Sequence, residues 1–351
     1  MNRNVLSRRL VVGIALAALT LSGCSSKSDD SSANSTGGDL SGELKASGSS
    51  FAAPYMQEVI TSFKAKAPKL TITYNPTGSG TGKEEFGKGL TDFAGTDSLV
   101  KDGQGPTAGT YLYVPTVAAP ITISYHLDGV AKLQLSPETL SGIFQRQIKM
   151  WNDPKLAADN PGVKLPALAI SVVHRADGSG TTSNFTKYMA AAAPTSWKLG
   201  SGDTVAWAAD TQAGPKNAGV AQLITQGKGT IGYVDLSDAL ATKLTFAAIK
   251  NKAGAYITPS VESATAAIAS AEVAADVTYN PLNAAGPTAY PITSPTYLLI
   301  RTKYDDANKK AAVKAFIKYL LTDGRADAAG INFSTLPDAM QAKALAQLDK
   351  I

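Results

Sequence analysis

The chain predicts an α/β fold of helices layered on largely parallel sheets. Three observations carry that expectation. Strand-like and helix-like segments alternate along most of the chain, which places helices on the faces of a sheet. Short Gly/Ser/Thr turns sit where strands hand over to helices. A length of 351 residues leaves room for two domains of ordinary size, and no internal repeat of fixed period is present.

The order opens with a leader. Arg3, Arg8 and Arg9 precede an apolar run, Leu10 to Leu21, too short to cross a bilayer comfortably, and small residues then lead into Leu21-Ser22-Gly23-Cys24. This reads as a secretory signal over 1–23, with Cys24 placed where a bacterial lipoprotein is acylated. A buried free thiol is the alternative. Cys24 is the only cysteine, so no intrachain disulfide forms. Ser7-Arg8-Arg9 hints at twin-arginine export, although paired arginines are common in such leaders. Residues 24–42 are rich in Ser, Asp, Gly and Asn and cannot bury enough apolar surface to order themselves. They read as a flexible tether that holds a globular body near a membrane surface. The leader carries three arginines and no acid, so its removal lowers the net charge from +5 to +2. Such near-neutrality argues against a nucleic-acid or polyanion partner and makes any anion site a local one.

After the tether, Leu44 to Ser47 reads as a strand. Met56, Val59, Ile60 and Phe63 recur at helical spacing within 51–67, and Pro68 ends that helix. Residues 70–74 alternate as a strand, 83–90 read as a helix and 92–95 as a short strand. Two β-rich runs, 111–114 and 121–125, flank Pro115 and Pro120. Ser136 is a cap candidate for a helix over 137–144. A strand over 169–173 precedes a helix over 181–192. A short helix (220–225) and two strands (231–234 and 297–301) follow. The last clear element is an amphipathic helix over 308–321, with Val313, Phe316, Ile317, Leu320 and Leu321 on one face.

The stretch Thr77-Gly78-Ser79-Gly80-Thr81-Gly82-Lys83-Glu84 resembles a nucleotide-binding loop, but its spacing excludes one. Thr77 stands where the first glycine of G-x-x-x-x-G-K-[ST] belongs, and Glu84 where a hydroxyl would meet magnesium. Lys83 likewise replaces the third glycine of G-x-G-x-x-G. What remains is a Gly-rich turn that aims backbone N–H groups and a helix dipole at one point; an ordinary strand-to-helix loop has the same composition. Two other turns share this chemistry. Gly48-Ser49-Ser50-Phe51 opens the helix over 51–67, and Gly178-Ser179-Gly180-Thr181 opens that over 181–192. In open α/β sheets ligands collect beyond the carboxyl ends of strands, where such turns lie. Three together favour a small oxyanion site, provided they converge. His174-Arg175-Ala176-Asp177 runs into the third turn. Arg175 offers a planar fork to an oxyanion, and Asp177 can hold it; a solvated pair is the alternative. Asp97 suits an oxyanion that still carries a proton, because an ionised carboxylate only accepts. Hydrogen phosphate has such a proton and sulfate at neutral pH has none, so an unmet acceptor selects between them. A turn-capping Asp is the alternative.

These residues carry a resemblance. Arg175-Ala176-Asp177-Gly178-Ser179-Gly180-Thr181, Gly48-Ser49-Ser50-Phe51 and Ala94-Gly95-Thr96-Asp97 resemble the phosphate-binding lipoproteins of bacterial ABC-type phosphate importers, the PstS family. Ile148-Lys149-Met150-Trp151-Asn152-Asp153, Ile231-Gly232-Tyr233-Val234 and Tyr290-Pro291-Ile292-Thr293 match its scaffold, and the likeness runs from about Ala46 to Pro337. It implies a two-lobed periplasmic-binding-protein fold (type II) with mixed, mostly parallel sheets and a ligand cleft between the lobes. One lobe would comprise 43–120 plus 291–351, the other 121–290, with crossings near Pro120 and Pro291. Carried over residue by residue, it implies that the Ser50 hydroxyl, the Phe51 N–H and Ser79 donate to phosphate, that Asp97 accepts its proton, and that Arg175 binds the dianion braced by Asp177. Ser179, Gly180 and Thr181 would complete the cage. Ser50 stands where many members have Thr, keeping the hydroxyl. Gly80 stands where a second Ser is common, which puts one peripheral contact in doubt. The resemblance further implies a monomer with no cofactor or metal, lipid-anchored on the extracytoplasmic side of the cell membrane, that hands phosphate to a permease and its ATPase.

Three rivals remain. A phosphatase would need a metal pair or an activated nucleophile, but the chain has only His126 and His174, no ligand-spaced His/Asp cluster, and no base visible near Asp177 or Ser179. A receptor for sulfate or molybdate is disfavoured by Asp97. In a purely adhesive surface lipoprotein the three turns would be incidental.

Overall fold

The computed structural model describes residues 40–351. The leader, Cys24 and most of the tether lie outside the described residues. β1 (Ser41–Gly48), α1 (Ala53–Lys64), β2 (Lys69–Asn75), α2 (Ser79–Gly87) and β3 (Phe93–Thr96) come first, with β1 pairing in parallel to both β2 and β3. Ser41 and Gly42, expected in the tether, therefore belong to the first strand. α1 is the crossover between β1 and β2. It buries Tyr55, Met56, Val59 and Phe63, each such side chain stabilising the fold by about 1.5–3 kcal/mol.

β4 (Tyr111–Tyr125) is one continuous strand, although its two prolines suggested two runs. Pro120 stands where the strand changes neighbours. Residues up to Pro120 pair with β12, introduced below, and residues from Ile121 onward pair with β8. A residue that cannot donate is tolerated at such a junction. β5 (Gln134–Leu135), α3 (Pro137–Phe144), α4 (Pro154–Asp159), β6 (Ser171–Arg175), α5 (Gly180–Ala192), β7 (Gln212–Gly214), α6 (Lys216–Gln226), β8 (Thr230–Asp235) and α7 (Leu236–Ala241) follow. Next come β9 (Thr245–Phe246), β10 (Ala248–Lys250), β11 (Tyr256–Ile257) and α8 (Val261–Ala269). The chain finishes with β12 (Thr293–Arg301), α9 (Ala307–Leu321), α10 (Arg325–Gly330), β13 (Ser334–Thr335) and α11 (Asp338–Ala346).

The main sheet runs β2-β1-β3-β12-β4-β8-β6-β7. Its two flanks, β2-β1-β3 and β8-β6-β7, are parallel. Its centre is not, because β12 runs antiparallel to β3 and β4, and β4 runs antiparallel to β8. The sheet is mixed, as expected, with its parallel pairing confined to the flanks. Alternation of strand and helix reports the crossovers of the flanks, while the long strands joining them make no crossover. α9 packs its predicted face inward: Val313, Phe316, Ile317, Leu320 and Leu321 are all buried, and Phe316 meets Phe63 and Phe93 at centroid distances of 5.5 and 5.6 Å.

Candidate functional site

Each of the three turns is built by a local necessity. Gly48 leaves β1 with φ +135°, and a Cβ there would lie 2.0 Å from the Gly95 carbonyl oxygen, so only glycine lets β1 and β3 end this close together. Ser49 and Ser50 follow directly, with Ser49 N donating to Gly95 O at 2.9 Å. In the second turn Gly78 N donates to Gly48 O at 2.8 Å, and Ser79 is already the first residue of α2. The expected helix over 83–90 therefore starts four residues early, and the glycine-rich stretch is its first turn. Low propensity is overridden by packing: a Cβ at Gly82 would lie 2.3 Å from Gly48 Cα. In the third turn the Ser179 hydroxyl caps α5, accepting from Thr182 N at 3.1 Å and leaving Gly180 and Thr181 in its first turn.

The turns converge. Gly80 N donates to Gly178 O at 3.0 Å. A Cβ on Gly180 would fall 2.5 Å from Ser79 Oγ and 2.7 Å from Asp97 Oδ2, and one on Gly78 would fall 2.4 Å from Asp177 Oδ2. Stretches a hundred residues apart in sequence thus enclose one small volume, with Asp97 and Arg175 among them.

Asp97 leaves β3 and is buried. Ser49 Oγ donates to its two carboxylate oxygens at 2.6 and 2.7 Å, and Ser79 Oγ donates to Oδ2 at 3.2 Å. Burial pushes the carboxyl up to about 7. The bonds from Ser49 and Ser79 and the charge of Arg175 pull it down, and Asp203 adds a smaller upward push. The Asp97 carbonyl is held by Asn184 Nδ2 at 2.6 Å.

Arg175 is the last residue of β6, and its guanidinium is almost wholly buried. Nε donates to Asp177 Oδ1 at 2.9 Å and Nη2 to Asp177 Oδ2 at 2.5 Å, while Nη1 donates to Asn217 Oδ1 at 2.8 Å. Nη1 also donates to Thr181 Oγ1 at 3.5 Å, so four of its five N–H groups have protein partners, that one at the limit of bonding distance. Among the described residues one Nη2–H remains without a protein partner, and the long bond from Nη1 to Thr181 is the weakest of the set, so this face of the guanidinium is the one an oxyanion would engage. Burial pushes the Asp177 carboxyl up, but the bonds and charge of Arg175 outweigh it and hold it below the ordinary carboxylate value. It is ionised at neutral pH.

The other predicted residues take defined places. The Ser50 hydroxyl accepts from Asn217 N at 3.3 Å, which leaves its own proton to donate. Phe51 commits its ring to the core against Phe333, 5.9 Å away, so only its backbone is available to a ligand. Ser179 N is already given to Asp203 O at 2.9 Å, which leaves Ser179 its hydroxyl. Thr181 Oγ1 donates to Asn217 Oδ1 at 3.3 Å.

Two groups were not foreseen. Ser49 was read as part of a turn, yet it bonds Asp97 more closely than Ser79 does. Asn217 joins Arg175, Thr181, Ser50 and, through Nδ2 at 2.9 Å, the buried Asp235; its place in the first turn of α6, after a glycine and a proline, was the only local signal. Lys83, read only as the start of a helix, is buried and spans to Asp203 Oδ2 at 2.8 Å.

Comparison with known proteins places the chain in a family. Residues 33–324 match the model of the PBP superfamily domain. The phosphate-binding protein PstS of Xylella fastidiosa is 32% identical over 336 residues, covering 91% of this chain and 92% of that one. The phosphate-binding protein PstS 3 of Mycobacterium leprae is 33% identical over 353 residues, covering 95% of each. The chain belongs to the PstS family. Solved structures share the two-lobed PstS fold. A high-affinity periplasmic phosphate-binding protein bound with phosphate superposes with a TM-score of 0.70 at 24% identity, covering 87% of this chain and 93% of that one. The phosphate-binding protein of Stenotrophomonas maltophilia gives 0.67 at 21% identity over the same shares. Among the described residues of this PstS chain, no helix is long and apolar enough to cross a membrane.

Proposed function

We propose that the chain is an extracytoplasmic receptor that binds inorganic phosphate with high affinity and delivers it to an ABC-type import permease. The observation that carries this reading is the pairing of an acceptor with a fork. Asp97 and the Arg175 guanidinium belong to segments in direct contact, so one tetrahedral anion that keeps a proton meets both. Ser50, Phe51 N–H, Ser79, Ser179, Gly180 and Thr181 supply the remaining donors, and Asp177 braces the fork. The lobes are 43–120 plus 291–351 and 121–290. The change of partner along β4 at Pro120 and the start of β12 at Thr293 support those boundaries. Binding occurs without turnover, in a monomer that needs no cofactor or metal. Acylated Cys24 and the tether between it and β1 hold it at the membrane beside the permease and its ATPase.

Calorimetry tests this reading. Arg175→Ala and Asp97→Asn should each weaken phosphate binding more than tenfold, a loss above about 1.4 kcal/mol, with circular dichroism matching the parent. Unchanged affinity in both would refute the site. Turnover of an aryl phosphate ester by the purified protein would return it to the enzymes.

A further inference from the structure

The distribution of hydroxyl protons around Asp97 leads beyond this reading, on which the inference rests. A carboxylate offers its oxygens as acceptors only while ionised; once protonated it becomes a donor. The ionised form accepts from a protonated oxyanion, and the protonated form donates to an unprotonated one. Which anion the site prefers therefore depends on what holds Asp97 in its accepting form. Ser49 is placed to do this. Its Oγ lies 2.6 Å from Oδ1 and 2.7 Å from Oδ2, so its proton is shared between both oxygens. Its own lone pair is taken by Ala52 N at 3.0 Å, which fixes the hydroxyl's direction: it accepts from the first turn of α1 and donates to Asp97. The residue is fully buried, and Tyr74 Oη donates to its carbonyl at 2.8 Å, so neither water nor a rotamer change substitutes easily.

We propose that Ser49 is a specificity-determining positioning residue: by giving its only proton to both oxygens of Asp97, it keeps that carboxylate in the accepting form that distinguishes a protonated oxyanion from an unprotonated one. Ser79 cannot replace it. Its bond is longer, at 3.2 Å, and reaches Oδ2 alone, while Ser79 Oγ accepts from Asp97 N at 3.2 Å. The other ionisable groups facing Asp97 are Arg175, which favours the accepting form, Asp203, which opposes it, and the buried phenol of Tyr74. None of the three donates a hydrogen bond to Asp97 in the structure, so the role falls to the hydroxyl.

Sulfate provides the probe, because it carries no titrating proton near neutrality and its pH dependence reports the protein. Sulfate affinity is measured by calorimetry from pH 5 to pH 9 for the parent, Ser49→Ala, Ser49→Thr, Asp97→Asn and the Ser49→Ala/Asp97→Asn pair, with phosphate affinity at pH 8. In the parent, sulfate binding strengthens as pH falls through the Asp97 midpoint. Loss of a hydrogen bond to a charged group moves such a midpoint by about one pH unit. Ser49→Ala should therefore shift the profile up by about that much and narrow the phosphate-over-sulfate ratio at pH 8 by about tenfold. Ser49→Thr, which keeps the hydroxyl, should keep a midpoint within a few tenths of the parent's. In the Asp97→Asn background Ser49→Ala should change neither quantity. If Ser49→Ala leaves midpoint and ratio where they were while Asp97→Asn flattens the profile, the role of Ser49 is overturned and the phosphate site stands. If Asp97→Asn itself leaves the profile intact, the reading of Asp97 fails, and this inference with it.

Discussion

At the scale of the residue, the site is built from groups that the fold alone would not choose. Asp97 is the clearest case. Its folded midpoint, near 7, lies above the 3.8 of a free carboxyl, because burial opposes its charge. The folded, ligand-free chain thus holds a proton there that the unfolded chain releases between about pH 4 and pH 7. Stability from this group falls as pH rises through that window and is constant above it. Asp97→Asn should accordingly raise the Tm of ligand-free protein, most at pH 8, with the gain shrinking as pH falls toward 4; calorimetric melts across that range check it. A gain in stability together with lost affinity is the signature of a residue kept for binding. Gly180 supplies the steric counterpart. A Cβ there would sit 2.5 Å from Ser79 Oγ and 2.7 Å from Asp97 Cβ, so Gly180→Ala has to push the turns apart. Phosphate titration should find its affinity at least tenfold lower, a loss of about 1.4 kcal/mol or more.

At the scale of the element, the buried Lys83–Asp203 pair joins α2 to the loop after α5. Lys83 Nζ gives its three protons to Asp203 Oδ2, Ser98 Oγ and Leu99 O, at 2.8, 2.9 and 3.2 Å. Removing the amine would strand a largely enclosed carboxylate whose other oxygen, Oδ1, has no protein partner among the described residues, a change that costs up to about 3 kcal/mol. On the lobe boundaries proposed above, the two residues come from different lobes, so the cost falls on the closed state. Lys83→Met should weaken phosphate binding at least tenfold yet barely move the Tm of ligand-free protein; an equal fall in Tm with and without phosphate would make the pair part of the fold instead. This pair also marks where the sequence stopped being legible. Ser136 was readable as a cap, and its hydroxyl does accept from Thr139 N at 3.3 Å, because cap and helix adjoin in the chain. The amphipathic face of α9 was readable for the same local reason. α8 was not, since its alanines (264, 266, 267 and 269) blur the apolar period, and strands of two or three residues such as β5, β7 and β13 have no period to read. Within the site, the turns announced themselves as contiguous Gly/Ser/Thr clusters. Asn217 and Asp203 did not, because they lie 42 and 120 residues from the groups they bond, and only the tertiary fold brings them there.

At the scale of the whole molecule, β4 and β12 join the two parallel flanks of the sheet. β4 passes from the neighbourhood of β12 to that of β8 at Pro120, and β12 begins beside it. Ile121 N donates to Ile292 O at 2.8 Å, and the buried Tyr290 Oη donates to Ile121 O at 2.9 Å. These bonds tie the two strands to each other, so on the lobe boundaries proposed above a closing motion would turn about them as one hinge rather than through two loose linkers. The proposed phosphate contacts are divided between the flanks: Ser50, Ser79 and the acceptor Asp97 on one, Arg175, Ser179 and Thr181 on the other. An anion that touches both sets binds the closed arrangement better than the open one, and it shifts the equilibrium only by that difference. Phosphate should therefore reduce the radius of gyration in solution scattering. At a hundred times its Kd it should also raise stability by about 2.7 kcal/mol, or roughly 5 °C in Tm for a chain of this size. Sulfate at pH 8 lacks the proton that Asp97 accepts and should do neither at the same concentration. In Asp97→Asn the two anions should converge in both measurements, because the difference between them rests on one accepted proton. A parent protein that contracts equally with sulfate would place selectivity elsewhere than in the coupling of that proton to closure.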